Sequence, residues 1–381
     1  MIGSDVVRPT FAQIDLGTLK ENYRAIREFV AAGARSAPPE VIAVVKANAY
    51  GHGLVPVARA LETGGATMIA CADIEEGVQL REGGIRVPIL VFGALSISDL
   101  NGVFEYNLTP TVSSPSAARA LQEAASTRAV RLPCHLNVDT GMNRFGFRYD
   151  NLASMMPEVL ASSHLVFDAV YTHFATAEDP AHPLFVEQGT RFTKALGTLA
   201  SIGLGQVRRH AANSAALLAG RECWLDAVRP GLLVYGVAPP GVMLPSQLRL
   251  RPVMSLRSRV VAVKGMRIGE TTGYGARFTA TRPTRVAVVP AGYADGLDVR
   301  LSGVGQVLIR GRRARIVGSV CMDSITIDVT DVDVDPGDEV VVIGSQDDDR
   351  IDASEVARWI GTVPHEVLCR TGSRIERVYS A

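Results

Sequence analysis

Between residues 41 and 229 the chain repeats one unit: a short apolar, β-branched run, then a stretch with apolar residues at helical spacing. The runs fall at 41–46, 66–71, 88–93, 108–112, 132–139, 165–172, 207–211 and 226–229. Strands that alternate with helices in this way are parallel and joined by crossovers. Eight of them in succession favour a closed (β/α)8 TIM-type barrel over an open doubly wound sheet. The segments 54–62, 74–81, 116–125 and 184–200 carry the helical pattern and are expected to form the outer ring.

After Tyr235 the texture changes. GVAPPGVMLP reads as a linker, and the runs in RVAVVPAGYADG, GQVLIRGRRARIVGS, SITIDVTDV and PGDEVVVIG read as strands bounded by turns. The expected architecture is α/β: a barrel over 9–240, then a mostly β C-terminal domain over 241–381. A first strand near 9–16 is expected to pack with the second unit. One helix, capped by Asp352 or Ser354, should close the β domain. A chain of 381 residues suits two such domains.

Lys+Arg and Asp+Glu number 39 each, so no net charge or long basic run offers itself to nucleic acid or anionic lipid. A small-molecule partner is expected, with no nucleic acid and no membrane. The five cysteines are scattered and never form a C-x-x-C pair, which suits free thiols in a reducing cytoplasm. MIGSDVVRPT lacks the charged and apolar regions of a signal peptide. No metal is expected.

In such barrels, side chains just past the C-terminal ends of the strands face the active-site mouth. Lys46 follows IAVV, His173 follows DAVYT, Ser214 follows RRHAAN, Arg229 follows DAV, and Arg144 lies in the loop after HLNVD. A lysine at the end of a buried strand is costly unless its amine is paired, depressed in pKa or covalently used. An amine that snorkels to solvent is the alternative. KANAYGHG adds a phenol and glycines whose backbone N–H groups suit a phosphate.

AVVKANAYGHG resembles the cofactor-lysine signature of the alanine racemases, and the likeness continues through DTGMNRFG, THFA, AANSAA, RPGLLVYG, TTGYGARF, AGYADG and GSVCMD. The resemblance implies a barrel followed by a β domain, in agreement with the alternation of elements. It also implies interconversion of L-alanine and D-alanine, supplying D-alanine for peptidoglycan. Lys46 would hold pyridoxal 5'-phosphate covalently and serve as base on one face of a small amino-acid substrate. Tyr274 would serve on the other, because a racemase must take a proton from one side and return one to the opposite side. A phenol is a weak base at its ordinary pKa of about 10 and needs help from its surroundings.

By the same resemblance, Arg229 would hydrogen-bond the pyridine nitrogen and, as a guanidinium, leave it largely unprotonated. His173 would support Arg229. Arg144 would approach the cofactor's phenolic oxygen and the substrate carboxylate. Met322 would offer its backbone N–H to that carboxylate, with Asp323 ordering the loop. Tyr50, Ser214 and the N–H groups of Gly231 and Leu232 would hold the phosphate. Tyr293 would narrow the entrance. The family works as a head-to-tail homodimer in which Tyr274 and Met322 complete the partner's site.

Three positions depart from the family pattern. Asn137 stands where many members carry a carbamylated lysine, and a bound chloride beside Arg144 is the expected replacement. Ser373 stands where some relatives place a tyrosine that touches the phosphate. Glu178 stands where many have aspartate at the entrance. These changes leave room for serine, so a serine or broad-specificity racemase is the near alternative. A decarboxylase of the ornithine or diaminopimelate type is disfavoured at Arg229, since such enzymes pair the pyridine with an acid. A non-catalytic pyridoxal-phosphate carrier resembles the barrel alone and would not need Tyr274.

Overall fold

The computed structural model describes residues 8–35, 37–93, 95 and 99–381. One sheet runs in the order Glu40–Val41, Ala227–Val228, Arg208–His210, Leu165–Tyr171, Leu132–Asp139, Thr109–Val112, Ile89–Val91, Ile69–Cys71 and Ala43–Val44. Its neighbours pair in parallel throughout. The first and last members of that order are separated only by Ile42, so the path returns to its origin and the sheet closes into a barrel. Each strand is covered on both sides, which explains why the runs read as continuous apolar stretches rather than alternating ones.

The outer ring includes Leu54–Thr63, Ile74–Glu82, Pro115–Thr127 and Pro183–Ser201. Three of these helix starts are fixed by side-chain caps: Asp73 accepts from Glu76 N, Ser114 from Ala117 N and His182 Nδ1 from Leu184 N. A further long helix, Leu16–Gly33, lies before the first barrel strand and is absent from the segments anticipated above. Its signal is present in the sequence: Leu19, Tyr23, Ile26 and Val30 are all buried, at spacings of three and four. Asp15 caps it through a 2.7 Å bond from Thr18 N.

The second sheet is ordered Ala262–Met266, Thr284–Val289, Ile325–Asp328, Arg312–Val317, Gln306–Ile309, Glu339–Gln346, Met254–Arg259, Phe11–Asp15 and Glu376–Ser380. The strand Phe11–Asp15 pairs antiparallel with Met254–Arg259 and parallel with Glu376–Ser380, joining the two ends of the chain. Two helices, not one, close this sheet. Ala353–Ile360 is capped by Asp352, ends at Gly361 in the left-handed region (φ 66°), and is followed by Pro364–Cys369 with proline in its first turn. The Gly and Pro punctuate one apparent helix into two.

Candidate active site

Lys46 opens an unusual turn. Ala47, Asn48, Ala49 and Tyr50 have φ of 56°, 53°, 54° and 52°, and Gly51 continues at 80°. A left-handed turn of L-residues costs roughly 1–2 kcal/mol per residue, so the surrounding structure must hold it. Val45 O accepts from Ala49 N at 2.7 Å, Ala47 O from Gly51 N at 3.0 Å, and Asn48 Oδ1 from Leu54 N at 2.8 Å. Glu76 Oε1 accepts from Asn48 N at 3.1 Å. A Cβ on Gly51 would overlap the Leu368 carbonyl, so glycine is required there for space as well as for φ. The turn sends both Lys46 and Tyr50 into one cavity of about 290 Å3 at the barrel mouth.

The other anticipated barrel residues converge on the same cavity. Asn137, Arg144, His173, Glu178, Ser214, Arg229, Gly231 and Leu232 all line it. Burial first, and then the charge on Arg144, push the Lys46 ammonium below its ordinary pKa. Glu178, Arg144 and Phe145 are exposed at its opening. Arg144 stacks its guanidinium 5.6 Å from the Phe145 ring centre.

Arg229 is buried, and its hydrogen bonds are almost fully specified. Nη1 donates to His210 Nδ1 at 2.8 Å, and Nη2 donates to the carbonyls of Thr172 and Ala211 at 2.8 and 3.0 Å. His173 Nδ1 lies at a longer 3.4 Å. Because Arg229 can only donate, His210 Nδ1 must accept and its proton must sit on Nε2. That Nε2 is 3.0 Å from His135 Nδ1, and His135 Nε2 lies 3.4 Å from Asp168 Oδ1. A buried hydrogen-bonded chain Arg229–His210–His135 thus crosses the barrel interior, and the half-exposed Asp168 stands near its end without a hydrogen bond to His135. Burial pulls His135 and His173 down to about 3 and His210 well below its ordinary value, so all three are neutral imidazoles. Burial lowers the Arg229 guanidinium to about 10, still charged at neutral pH.

His135, Asp168 and His210 are absent from the residues anticipated above. Their signal was a histidine inside each of two apolar strands, HLNVD and RRHAAN, at positions where a barrel expects Val or Leu. His365 was also missed. It reaches the cavity from the C-terminal helix Pro364–Cys369 and packs against the Tyr50 ring at 5.9 Å, a contact between segments far apart in the chain.

A cradle for a phosphate is built where Tyr50, Ser214 and Gly231 meet. Ser214 Oγ accepts from Gly231 N at 2.9 Å and lies 3.4 Å from Leu233 N. A Cβ on Gly231 would collide with the Tyr50 hydroxyl. Tyr50 is braced by Tyr235, ring centres 4.9 Å apart, whose own hydroxyl donates to Val44 O at 3.0 Å. Hydroxyls, backbone N–H and a buried arginine on one rim fit a phosphorylated pyridine.

Five anticipated residues are not in this cavity within the chain. Tyr274 is 79% exposed on the β domain, Met322 51% and Tyr293 44%. They share one surface: Ser319 Oγ donates to Tyr274 O, Tyr293 N to Cys321 O, and Ala294 N to Met322 O. Asp323, beside them, is held by Arg374 at 2.7 Å. Ser373 is exposed and does not line the cavity.

The family profile described as alanine racemase, N-terminal domain, matches residues 14–239, and that described as alanine racemase, C-terminal domain, matches residues 253–379. An alanine racemase of Desulforamulus reducens is 40% identical over 373 residues, 97% of this chain and 99% of the relative. The solved alanine racemase from D-cycloserine-producing Streptomyces lavendulae superposes with a TM-score of 0.92 at 33% identity, covering 99% of this chain and 98% of that one. The Bartonella henselae alanine racemase, solved with covalently bound pyridoxal phosphate, gives 0.86 at 30% identity over 98% and 99%.

Proposed function

Since the chain belongs to the alanine racemase family and interconverts L-alanine and D-alanine, we propose that protons pass between two groups on opposite faces of the substrate, Lys46 of one chain and Tyr274 of a second copy. Pyridoxal phosphate, on which the family depends, supplies an electron-withdrawing ring that acidifies the α-carbon of an amino acid bound to it. Every other part of the task falls to side chains of the protein.

The observation that carries this reading is the Lys46 amine, delivered by a strained turn into a cavity whose burial and arginines favour its neutral form. A neutral amine accepts a proton and holds the cofactor covalently. Tyr50, Ser214 and the N–H groups of Gly231 and Leu232 would bind the phosphate. Arg229 would meet the ring nitrogen, kept charged and aimed by His210, with His173 beside it. Arg144 would orient the carboxylate.

Tyr274 and Met322 stand exposed on another face of the same chain, which favours a head-to-tail homodimer with shared sites. Mixed dimers of Lys46→Ala and Tyr274→Phe chains test this. One intact site should restore activity to about a quarter to a half of the wild-type level, whereas inactivity of well-mixed dimers would place both groups within one chain.

Asn137 is buried, carries no charge and lines the same cavity as Arg144. We assign a bound chloride there, replacing the carbamylated lysine of other members; bromide soaking with anomalous scattering locates it, and density for water alone overturns it. The exposed Ser373 and Glu178 support slow turnover of serine beside alanine. We assign the product to peptidoglycan D-alanine in the cytoplasm, in keeping with unpaired Cys71, Cys134, Cys223, Cys321 and Cys369. We divide the chain at 9–240 and 241–381, with strand Phe11–Asp15 joining the second sheet.

A further inference from the structure

Strand Ala43–Val44 pairs in parallel with strand Ile69–Cys71, and the pairing extends to Val45, whose N–H donates to Ala70 O at 2.8 Å. Just beyond, the two segments part. One enters the left-handed turn that begins at Lys46, and the other passes Ala72 and Asp73 into helix Ile74–Glu82. The backbone N–H groups that follow need acceptors other than a strand partner.

One side chain serves both segments. Glu76, half-buried on the first turn of that helix, accepts from Asn48 N at 3.1 Å through Oε1 and from Ala72 N at 2.8 Å through Oε2. In a capping box, a carboxylate at this helix position returns to the N–H of the capping residue. Here Asp73 accepts from Glu76 N at 2.8 Å, but the Glu76 carboxylate reaches past Asp73 to Ala72 and across to the neighbouring turn. Ala72 and Lys46 line the same cavity, so both segments that Glu76 joins border it.

We propose that Glu76 is a positioning residue for Lys46, tying the turn to the end of the neighbouring strand so that the amine is delivered to one place on the cavity wall. The inference rests on the reading of Lys46 as the lysine that holds the cofactor. A carboxylate has an acceptor oxygen for each segment, whereas a carboxamide has one and would turn its own N–H toward the other donor. The Glu76 charge also reaches the amine: burial and Arg144, with Arg229, lower the Lys46 ammonium pKa, and Glu76 opposes them. Near the same amine, His173 and His365 are neutral at about 3 and about 4, and burial raises the Tyr50 phenol and the Cys369 thiol. Asp139 and Glu178 line the cavity as well. A change at Glu76 leaves all of these groups in place.

Glu76→Gln keeps the shape of the side chain, and Glu76→Ala removes it. Apo-protein of each is mixed with pyridoxal phosphate across a pH series, and the adduct is trapped with borohydride and located by peptide mapping. Attachment needs the neutral amine, and loss of a nearby negative charge favours that form, so the midpoint should fall by about half a pH unit or more in both variants. Aim depends on the hydrogen bonds instead: kcat should fall about tenfold in Glu76→Gln and further in Glu76→Ala, with KM changed much less. A midpoint unmoved in both variants, or a lowered Tm with kcat unchanged, would overturn the proposal. A label on Lys20, Lys194 or Lys264 of the wild type would overturn the reading of Lys46 itself, and the role of Glu76 with it.

Discussion

Arg229 Nη1 lies 2.8 Å from His210 Nδ1, and because a guanidinium has no acceptor this one distance fixes the protonation of two histidines behind it. Arg229, which we propose meets the ring nitrogen, is positioned by a chain of two buried histidines, His210 and His135.

Replacing His210 by alanine leaves a buried Arg229 donor unmatched, at a cost of about 1–3 kcal/mol. The expected result is a fall in kcat of tenfold or more with a smaller change in KM, and a displaced absorbance band of the bound cofactor. His210→Asn places an oxygen near the position of Nδ1 and should recover most of both. Equal damage from the two variants would show that His210 only fills space.

The neutral histidines make stability depend on pH with a definite sign. Their folded pKa values lie below the unfolded value of about 6.5, at about 4 for His52 and about 3 for His135 and His173. Below about pH 6.5 the unfolded chain binds protons that the folded one refuses. Stability should be full above that point and decline steadily as pH falls toward 3. Urea unfolding between pH 8 and 5 measures it; a flat profile would mean the imidazoles are solvated.

Gly51→Ala meets both a left-handed backbone and the Leu368 carbonyl. The turn carrying Lys46 and Tyr50 must shift, and the expected loss is about 2 kcal/mol or more, a Tm drop of several degrees. Calorimetry of the apo and loaded forms should show the larger loss in the loaded form, because the two displaced side chains are those that would hold the cofactor.

Gly231→Ala should spare the fold and damage the phosphate cradle, since the atoms nearest the new methyl are the Tyr50 hydroxyl and ring, the far end of a side chain. Cofactor affinity of the apo-protein, followed by fluorescence titration, is expected to fall at least tenfold. Turnover at saturating cofactor should change less. An unaltered affinity would argue that the phosphate sits elsewhere.

The sequence alone determined the barrel, because strands buried on both faces must be apolar along their whole length and the helices between them must be apolar on one side. It likewise determined Lys46, Arg229 and Ser214 as rim residues, since a strand end fixes where the next side chain points. The left-handed turn at Ala47–Tyr50 was not legible, because Ala and Tyr disfavour that region, one Asn among them does not specify a whole turn, and hydrogen bonds to Leu54 and Glu76 and packing on Leu368 hold it. The Arg229–His210–His135 chain draws on three strands or their ends, and His365 reaches the cavity from the C-terminal domain. Such contacts join residues far apart in sequence, so no local pattern encodes them; only closing the barrel and docking the β domain brings the groups within hydrogen-bonding reach.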